Sequence, residues 1–254
     1  MYIGLLGPLL VSTNGQPVEV TAAKQRSLLA ALAVRAGDVV PVDALAEAIW
    51  DAESPATWRG TLRNYVRRLR RALGEDAGRQ VITSGPGYLL QADRGELDLL
   101  AFEELARIGL AAGAAGDLPT AAAKLGEAEA LWRGTPFADI PSRRIRDEHL
   151  PYLEEKRLAV LEARIDADLQ LSRLPAASVV PELQRLVARH PARERFRSLL
   201  MLALYRSGRQ ADALALFRLT RKFMVDELGV EPGYDLRKLH QRILAGDPDL
   251  LIQP

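Results

Sequence analysis

Residues 57–73 constrain this chain more than any other stretch. Trp58, Leu62, Tyr65, Val66, Leu69 and Leu73 recur at the offsets that build one apolar stripe on a helix of about 3.6 residues per turn. Such a stripe must lie against a core. Gly60, Asn64, Arg67 and Arg71 fall on the opposite side, Arg59, Arg63 and Arg70 line one flank, and Arg68 lies on the other. Six arginines thus sit on one short helix, and no acid occurs between Ser54 and Gly74. Solvated faces ordinarily mix signs to gain i,i+4 pairs, and this one does not. The B-DNA major groove admits one helix, and arginine and asparagine make bidentate contacts to guanine and adenine edges. Residues 57–73 are therefore a candidate recognition helix.

The chain has 254 residues, 48% hydrophobic and 26% charged, enough for two cores, and its few aromatics with abundant Ala, Leu and Arg predict a mainly α protein. Net charge is +1, yet residues 1–95 carry 11 basic and 9 acidic side chains against 23 and 24 in residues 96–254. The basic signal is local to one helix, which argues for a polyanion partner there and against a uniformly positive surface. With no cysteine, disulfides, thiol catalysis and thiolate metal sites are excluded. No leader pattern opens the sequence, and no uncharged apolar run approaches the ~18 residues of a membrane span, so the expectation is a cytoplasmic protein.

Residues 2–6 read as a strand, and residues 9–12 and 17–20 flank Asn14-Gly15, the dipeptide best suited to the positive φ angles of a type I′ hairpin turn. Residues 23–35 place Leu28, Leu29, Leu32 and Ala33 on one helical side, ended by Gly37. After an extended 38–42, Asp43 is expected to cap a short helix 44–50 that buries Leu45, Ala46 and Ile49. A loop over residues 51–56 leads to the arginine helix. A second loop to Arg79 follows, then a hairpin of residues 81–83 and 88–90 with the tip Ser84-Gly85-Pro86-Gly87. A small sheet, three helices and a hairpin after the third form the winged-helix arrangement, in which helix three enters the major groove and the wing lies on neighbouring backbone.

These residues resemble the response-regulator (OmpR) type of winged helix. The motifs are Lys24-Gln25-Arg26, Thr61-Leu62, the run from Tyr65 to Gly74, and Gly85-Pro86-Gly87-Tyr88. The resemblance implies DNA binding through Arg59, Thr61, Arg63, Asn64, Arg67, Arg68, Arg70 and Arg71, with Thr83, Ser84, Gly85 and Tyr88 in the wing. Thr61, Asn64, Arg67 and Arg68 are the candidates for base edges, and Arg59, Arg63, Arg70 and Arg71 for phosphates. Many relatives carry a wing arginine where this chain has Ser84. It further implies a polymerase-contact loop at residues 50–56, with Trp50, Asp51 and Glu53 as its marked residues. With the DNA-binding half opening at residue 1, the expected regulator carries no phosphoacceptor receiver.

Residues 96–254 are almost wholly helical in pattern. Gly116-Asp117-Leu118-Pro119 and Gly208-Arg209-Gln210-Ala211 are both glycine turns that open a helix, the signature of tetratricopeptide-like pairs, with a more degenerate third copy near Ser172. Residues 200–214, 226–233, Leu131-Trp132-Arg133-Gly134 and Gly246-Asp247-Pro248 resemble the bacterial transcriptional activation domain. With the winged helix in front, nearly the whole chain is similar to the SARP (Streptomyces antibiotic regulatory protein) family. The resemblance implies a winged-helix domain over 1–95 and a tetratricopeptide-like activation domain over 96–254. It implies an activator of an antibiotic cluster that binds direct repeats in double-stranded DNA, often as a side-by-side homodimer, and recruits RNA polymerase with its sigma factor. Larger relatives add an ATPase, whose phosphate-binding motif is absent from this sequence.

Nothing points to an enzyme, a metal or another cofactor. His149, His190 and His240 lack metal-ligand spacing and read as packing or surface residues, and the acids at 147–148 and 154–155 read as a solvated helix face. The alternative for residues 96–254 is an interaction scaffold or ligand sensor whose basic helix is merely surface.

Overall fold

The computed structural model describes residues 1–51, 53–171 and 175–251. They divide into two compact units, residues 1–107 with 127–158, and residues 108–126 with 159–254.

The first unit opens on an antiparallel meander of β1 (Tyr2–Gly4), β2 (Leu10–Thr13) and β3 (Gln16–Pro17), in register Tyr2↔Ser12 and Ser12↔Pro17. Asn14 and Gly15 have φ of 52° and 75°, as a type I′ turn requires. The chain continues through α1 (Ala23–Ala33), β4 (Val40–Pro41), α2 (Val42–Trp50), α3 (Trp58–Leu73), α4 (Glu75–Arg79), β5 (Val81–Ser84) and β6 (Gly87–Leu90). The second sheet has the order β4-β6-β5, and residues 84–87 turn between its last two strands. Leu28, Leu29 and Leu32 of α1, Leu45 and Ile49 of α2, and Leu62, Val66, Leu69 and Leu73 of α3 are buried. The apolar stripes of the three helices thus supply the core on which the hairpin rests.

Two local expectations differ. Helix α2 begins at Val42 after Pro41, so Asp43 lies inside the first turn and makes no cap. Proline preceding the first turn needs no N–H, and an acid there still suits the positive end of the helix. The expected loop before Arg79 is instead the short helix α4, with Glu75 and Asp76 in its first turn. A Cβ on its Gly78 would lie 2.4 Å from the Arg70 carbonyl oxygen, so glycine permits this close approach to α3.

Compactness also cuts across the sequence boundary at residue 95. Residues from α5 (Asp98–Ala114), α6 (Leu118–Ala130) and α7 (Arg143–Leu171) belong to the first unit. Ile3 N donates to Glu96 O at 2.7 Å, and Leu5 N and Leu6 N donate to the two carboxylate oxygens of Asp98 at 2.7 and 2.9 Å. The loop after α6 returns to the same strand end: Arg133 N donates to Leu6 O, Phe137 N to Leu5 O, and the Arg133 guanidinium to Pro8 O. Asp139 accepts from Leu9 N and, through its carbonyl, from Arg26.

In the second unit, α8 (Ala176–Arg189), α9 (Glu194–Arg206), α10 (Gln210–Leu228) and α11 (Tyr234–Leu244) follow one another as helical hairpins. Phe196, Leu199, Leu200, Ala203 and Leu204 form the buried stripe of α9. Gly116 and Gly208, at φ of 81° and 75°, make the two repeat turns, a conformation that costs a β-carbon residue strain. A Cβ on Gly109 would meet Leu125 Cγ at 2.6 Å, the close helix packing expected of small residues. The third copy near Ser172 lies outside the described residues.

Candidate nucleic-acid interface

Helix α3 turns its apolar stripe inward and its arginines outward. Leu62, Val66, Leu69 and Leu73 are buried, and Tyr65 stacks on Trp50 of α2 with ring centroids 5.8 Å apart. Arg59, Arg63, Asn64, Arg67, Arg68 and Arg71 are all exposed. Among the described residues no side-chain hydrogen bond or ion pair engages Arg63, Asn64, Arg67, Arg68 or Arg71. A row of guanidinium groups without side-chain partners on one helix is a preorganised anion surface, because a polyanion both pairs with them and relieves their mutual repulsion. Arg70 and Arg71 also lie in the last turn of α3, where positive charge suits the helix dipole.

The other expected residues differ in their surroundings. The Arg59 guanidinium lies 4.6 Å from the Trp58 ring centroid and 3.4 Å from Asp43 Oδ1, an exposed pair that a phosphate could displace. Thr61 is half-buried and donates its hydroxyl to Thr57 O at 3.2 Å. Thr83, Gly85 and Pro86 are exposed at the wing with Ser84 half-buried beside them, and Gly85 has φ of 49°.

Two of the expected residues, one in the wing and one on α3, are engaged within the fold. Tyr88 is only 8% exposed, so its ring belongs to the hydrophobic core under the hairpin and cannot present a face to a duplex. Arg70, expected on phosphate, donates Nε–H to Val81 O at 2.8 Å and Nη2–H to Thr83 Oγ1 at 2.9 Å.

The loop between α2 and α3 holds a third difference. Asp51 adopts φ of 53°, and its Oδ1 accepts from Arg144 N at 3.1 Å. That amide is in the first turn of α7, where backbone N–H groups have no helical acceptor. Asp51 therefore caps α7 from a distance in sequence. The Arg144 side chain pairs in turn with Glu47 Oε2 at 3.0 Å. Trp50 packs on Tyr65, Glu53 is exposed, and Ala52 of this loop lies outside the described residues.

The sequence carries no sign of the roles of Asp98, Asp139 and Arg144, and Arg133 is marked there only within the Leu131-Trp132-Arg133-Gly134 motif, because their partners lie tens of residues away. The motif Lys24-Gln25-Arg26 also serves the fold, since Lys24 Nζ donates to Ile49 O at the end of α2, and Arg26 to Thr21 O. His149 and His190 lie beside Phe137 and Phe196, and His240 stacks on Phe217 at 3.8 Å. Among the described residues no cluster of His, Asp and Glu could hold a metal ion, and no helix is long and apolar enough to cross a membrane.

A winged helix with a free cationic face, followed by helical hairpins, is the architecture of a two-part transcriptional regulator. Its two parts each match a family model: "Transcriptional regulatory protein, C terminal" over residues 15–90 and "Bacterial transcriptional activator domain" over residues 97–244. The chain is 40% identical to the regulatory protein DnrI of Streptomyces peucetius, over 98% of this chain and 94% of that protein. It is 43% identical to the regulatory protein AfsR of Streptomyces coelicolor, over 98% of this chain and 25% of that one. The structure of EmbR from Mycobacterium tuberculosis, in complex with a low-affinity phosphopeptide, superposes with a TM-score of 0.90 at 34% identity, over 97% of this chain and 65% of that chain. The chain belongs to the SARP family of transcriptional regulators.

Proposed function

We propose that this regulator activates transcription by sequence-specific binding of double-stranded DNA. Helix α3 lies in the major groove, with Asn64, Arg67, Arg68 and the Thr61 hydroxyl on base edges and Arg59, Arg63 and Arg71 on phosphates. Ser84 and Gly85 place the wing tip on adjoining backbone, with no arginine there for the minor groove. The observation that carries this reading is the unpaired, exposed set of Arg63, Asn64, Arg67, Arg68 and Arg71. Domain 1–95 reads DNA and domain 96–254 serves activation, in the cytoplasm. Two chains sit side by side on direct repeats near a promoter, and the exposed Glu53 loop meets RNA polymerase or its sigma factor. A target in an antibiotic cluster is supported by the likeness to DnrI, AfsR and the transcriptional regulator RedD of Streptomyces coelicolor.

The test is selection of bound duplexes from a random pool by the purified chain and by an Arg67→Ala/Arg68→Ala double variant, at two salt concentrations. A repeated motif enriched by the first and lost with the second is expected. Arg63→Ala should weaken every sequence alike and reduce the slope of log affinity against log salt by about 0.9, the release of one phosphate counterion. Weak salt-sensitive retention without enrichment would leave a non-specific cationic helix and make the helical repeat the working part, as an interaction scaffold.

A further inference from the structure

We propose that Arg70 is a positioning residue that latches the wing to the recognition helix and so sets where Ser84 and Gly85 meet a duplex. The proposal rests on the DNA-binding reading above and deepens it, since it moves one arginine of α3 from contacting DNA to holding the second contact element in place.

Three contacts carry it. Arg70 Nε–H reaches the Val81 carbonyl at 2.8 Å, Nη2–H reaches Thr83 Oγ1 at 2.9 Å, and Cζ lies 6.0 Å from the centroid of the Tyr88 ring. Thr83 pairs with Tyr88 and Val81 with Leu90 in the ladder, so these four side chains share one face of the hairpin. Two bonds from one planar guanidinium to points two residues apart on a strand fix both its distance and its rotation, which a single ammonium cannot do.

The latch adds a tie that the strand pairing lacks. β5 is the edge strand, and beside it β6 pairs with the two residues of β4, Val40↔Tyr88 and Pro41↔Gly87, with Val42 N donating to Pro86 O and Gly37 N to Leu90 O. None of these bonds joins β5 to α3, and Arg70 makes that join. The remaining arginines of α3 do not share this role, since Arg59 pairs with Asp43, and Arg63, Arg67, Arg68 and Arg71 are unengaged among the described residues.

The experiment compares the full chain with Arg70→Gln, Arg70→Lys and Thr83→Val. The probes are a duplex recovered by the wild type from a random pool, and the same duplex shortened on the flank that the wing protects from hydroxyl radicals. Arg70→Gln should bind the long duplex about tenfold more weakly, the scale of one charge-assisted hydrogen bond, and should equal the wild type on the short one. Arg70→Lys should behave like Arg70→Gln. Thr83→Val, which removes one acceptor without touching α3, should shift in the same direction by a smaller factor. Without DNA, amides of residues 82–87 should exchange about tenfold faster in Arg70→Gln. Equal losses on both duplexes overturn the proposal: with lowered melting they make Arg70 a folding residue, and with unchanged melting and a flatter salt dependence a phosphate contact. Unchanged wing exchange overturns it as well. If the wild type retains no duplex, the DNA reading fails, and the exchange rates still decide whether Arg70 holds the wing.

Discussion

Arg133 sets a guanidinium nitrogen 3.3 Å from a carboxylate oxygen of Asp98, while both oxygens of that fully buried carboxylate accept the amides of Leu5 and Leu6. The pair joins the first helix after the wing to the first strand of the chain. Burial holds the Asp98 carboxyl above its ordinary value, against the smaller opposing pull of the two amides and Arg133. Asp98→Ala would leave two buried amides without an acceptor and take the carboxylate from Arg133, which would keep only the Pro8 carbonyl among its described partners. It should cost about 3–5 kcal/mol of stability, the scale of breaking a buried charge pair from one side. Arg133→Ala should cost less, because that side chain remains 31% exposed. Urea unfolding of the full chain decides, and an Asp98→Ala loss under ~1 kcal/mol would sink this account of the junction.

Asp51 and Glu53 should separate, although both lie in the proposed polymerase loop. Asp51→Ala removes one acceptor from the first turn of α7, where Ser142 Oγ still accepts from Ile145 N, and should cost about 1 kcal/mol, whereas Asp51→Asn keeps an acceptor and tolerates φ of 53°. Glu53 is exposed. Glu53→Lys should therefore leave melting and DNA affinity unchanged and lower transcription in a reconstituted polymerase assay. Undiminished transcription would remove Glu53 from that contact.

Gly87 is required for space. A Cβ there would lie 2.0 Å from the Val40 carbonyl oxygen, closer than any real contact, so Gly87→Ala must separate β4 from β6. Overpacking of this kind costs about 1–3 kcal/mol. Gly95→Ala is the control, since a Cβ there meets nothing within 4 Å and its backbone lies outside the left-handed region. Equal melting temperatures for Gly87→Ala and wild type would contradict the strand pairing.

Acid should weaken the start of the fold through Glu96. Burial works to raise its carboxyl, but the Met1 ammonium, the Gln80 side-chain amide and the Asp93 backbone amide outweigh it and hold the group at about 2, from an ordinary 4.5. A folded value below the unfolded one means that the stabilisation is full above pH 4.5 and is lost as pH falls toward 2. Glu96→Gln should flatten the stability profile across that window and leave it unchanged in slope near neutrality. A parallel acid limb in the variant would show that other carboxylates carry it.

Features that depend on local periodicity and turn chemistry were legible in the chain before any packing was known. The stripe of Trp58, Leu62, Val66, Leu69 and Leu73 could only be a helix with one buried side, which left Arg63, Arg67, Arg68 and Arg71 in water. Asn14-Gly15 could only turn a hairpin, and Gly116 and Gly208 each opened a repeat helix, because positive φ is a property of single residues. Charged residues whose partners lie far along the chain acquired their roles only in the folded molecule. Helical spacing puts Arg70 on a flank and Arg71 opposite the apolar stripe, yet nothing in it says that Arg70 meets the wing. Nothing near Asp51 predicts that it caps a helix beginning at Arg143, or that Asp98 and Arg133 draw residues beyond the wing into the first compact unit. A hydrogen bond is made by whichever groups the fold brings within about 3 Å, and that proximity is set by the packing of whole elements rather than by their own sequences.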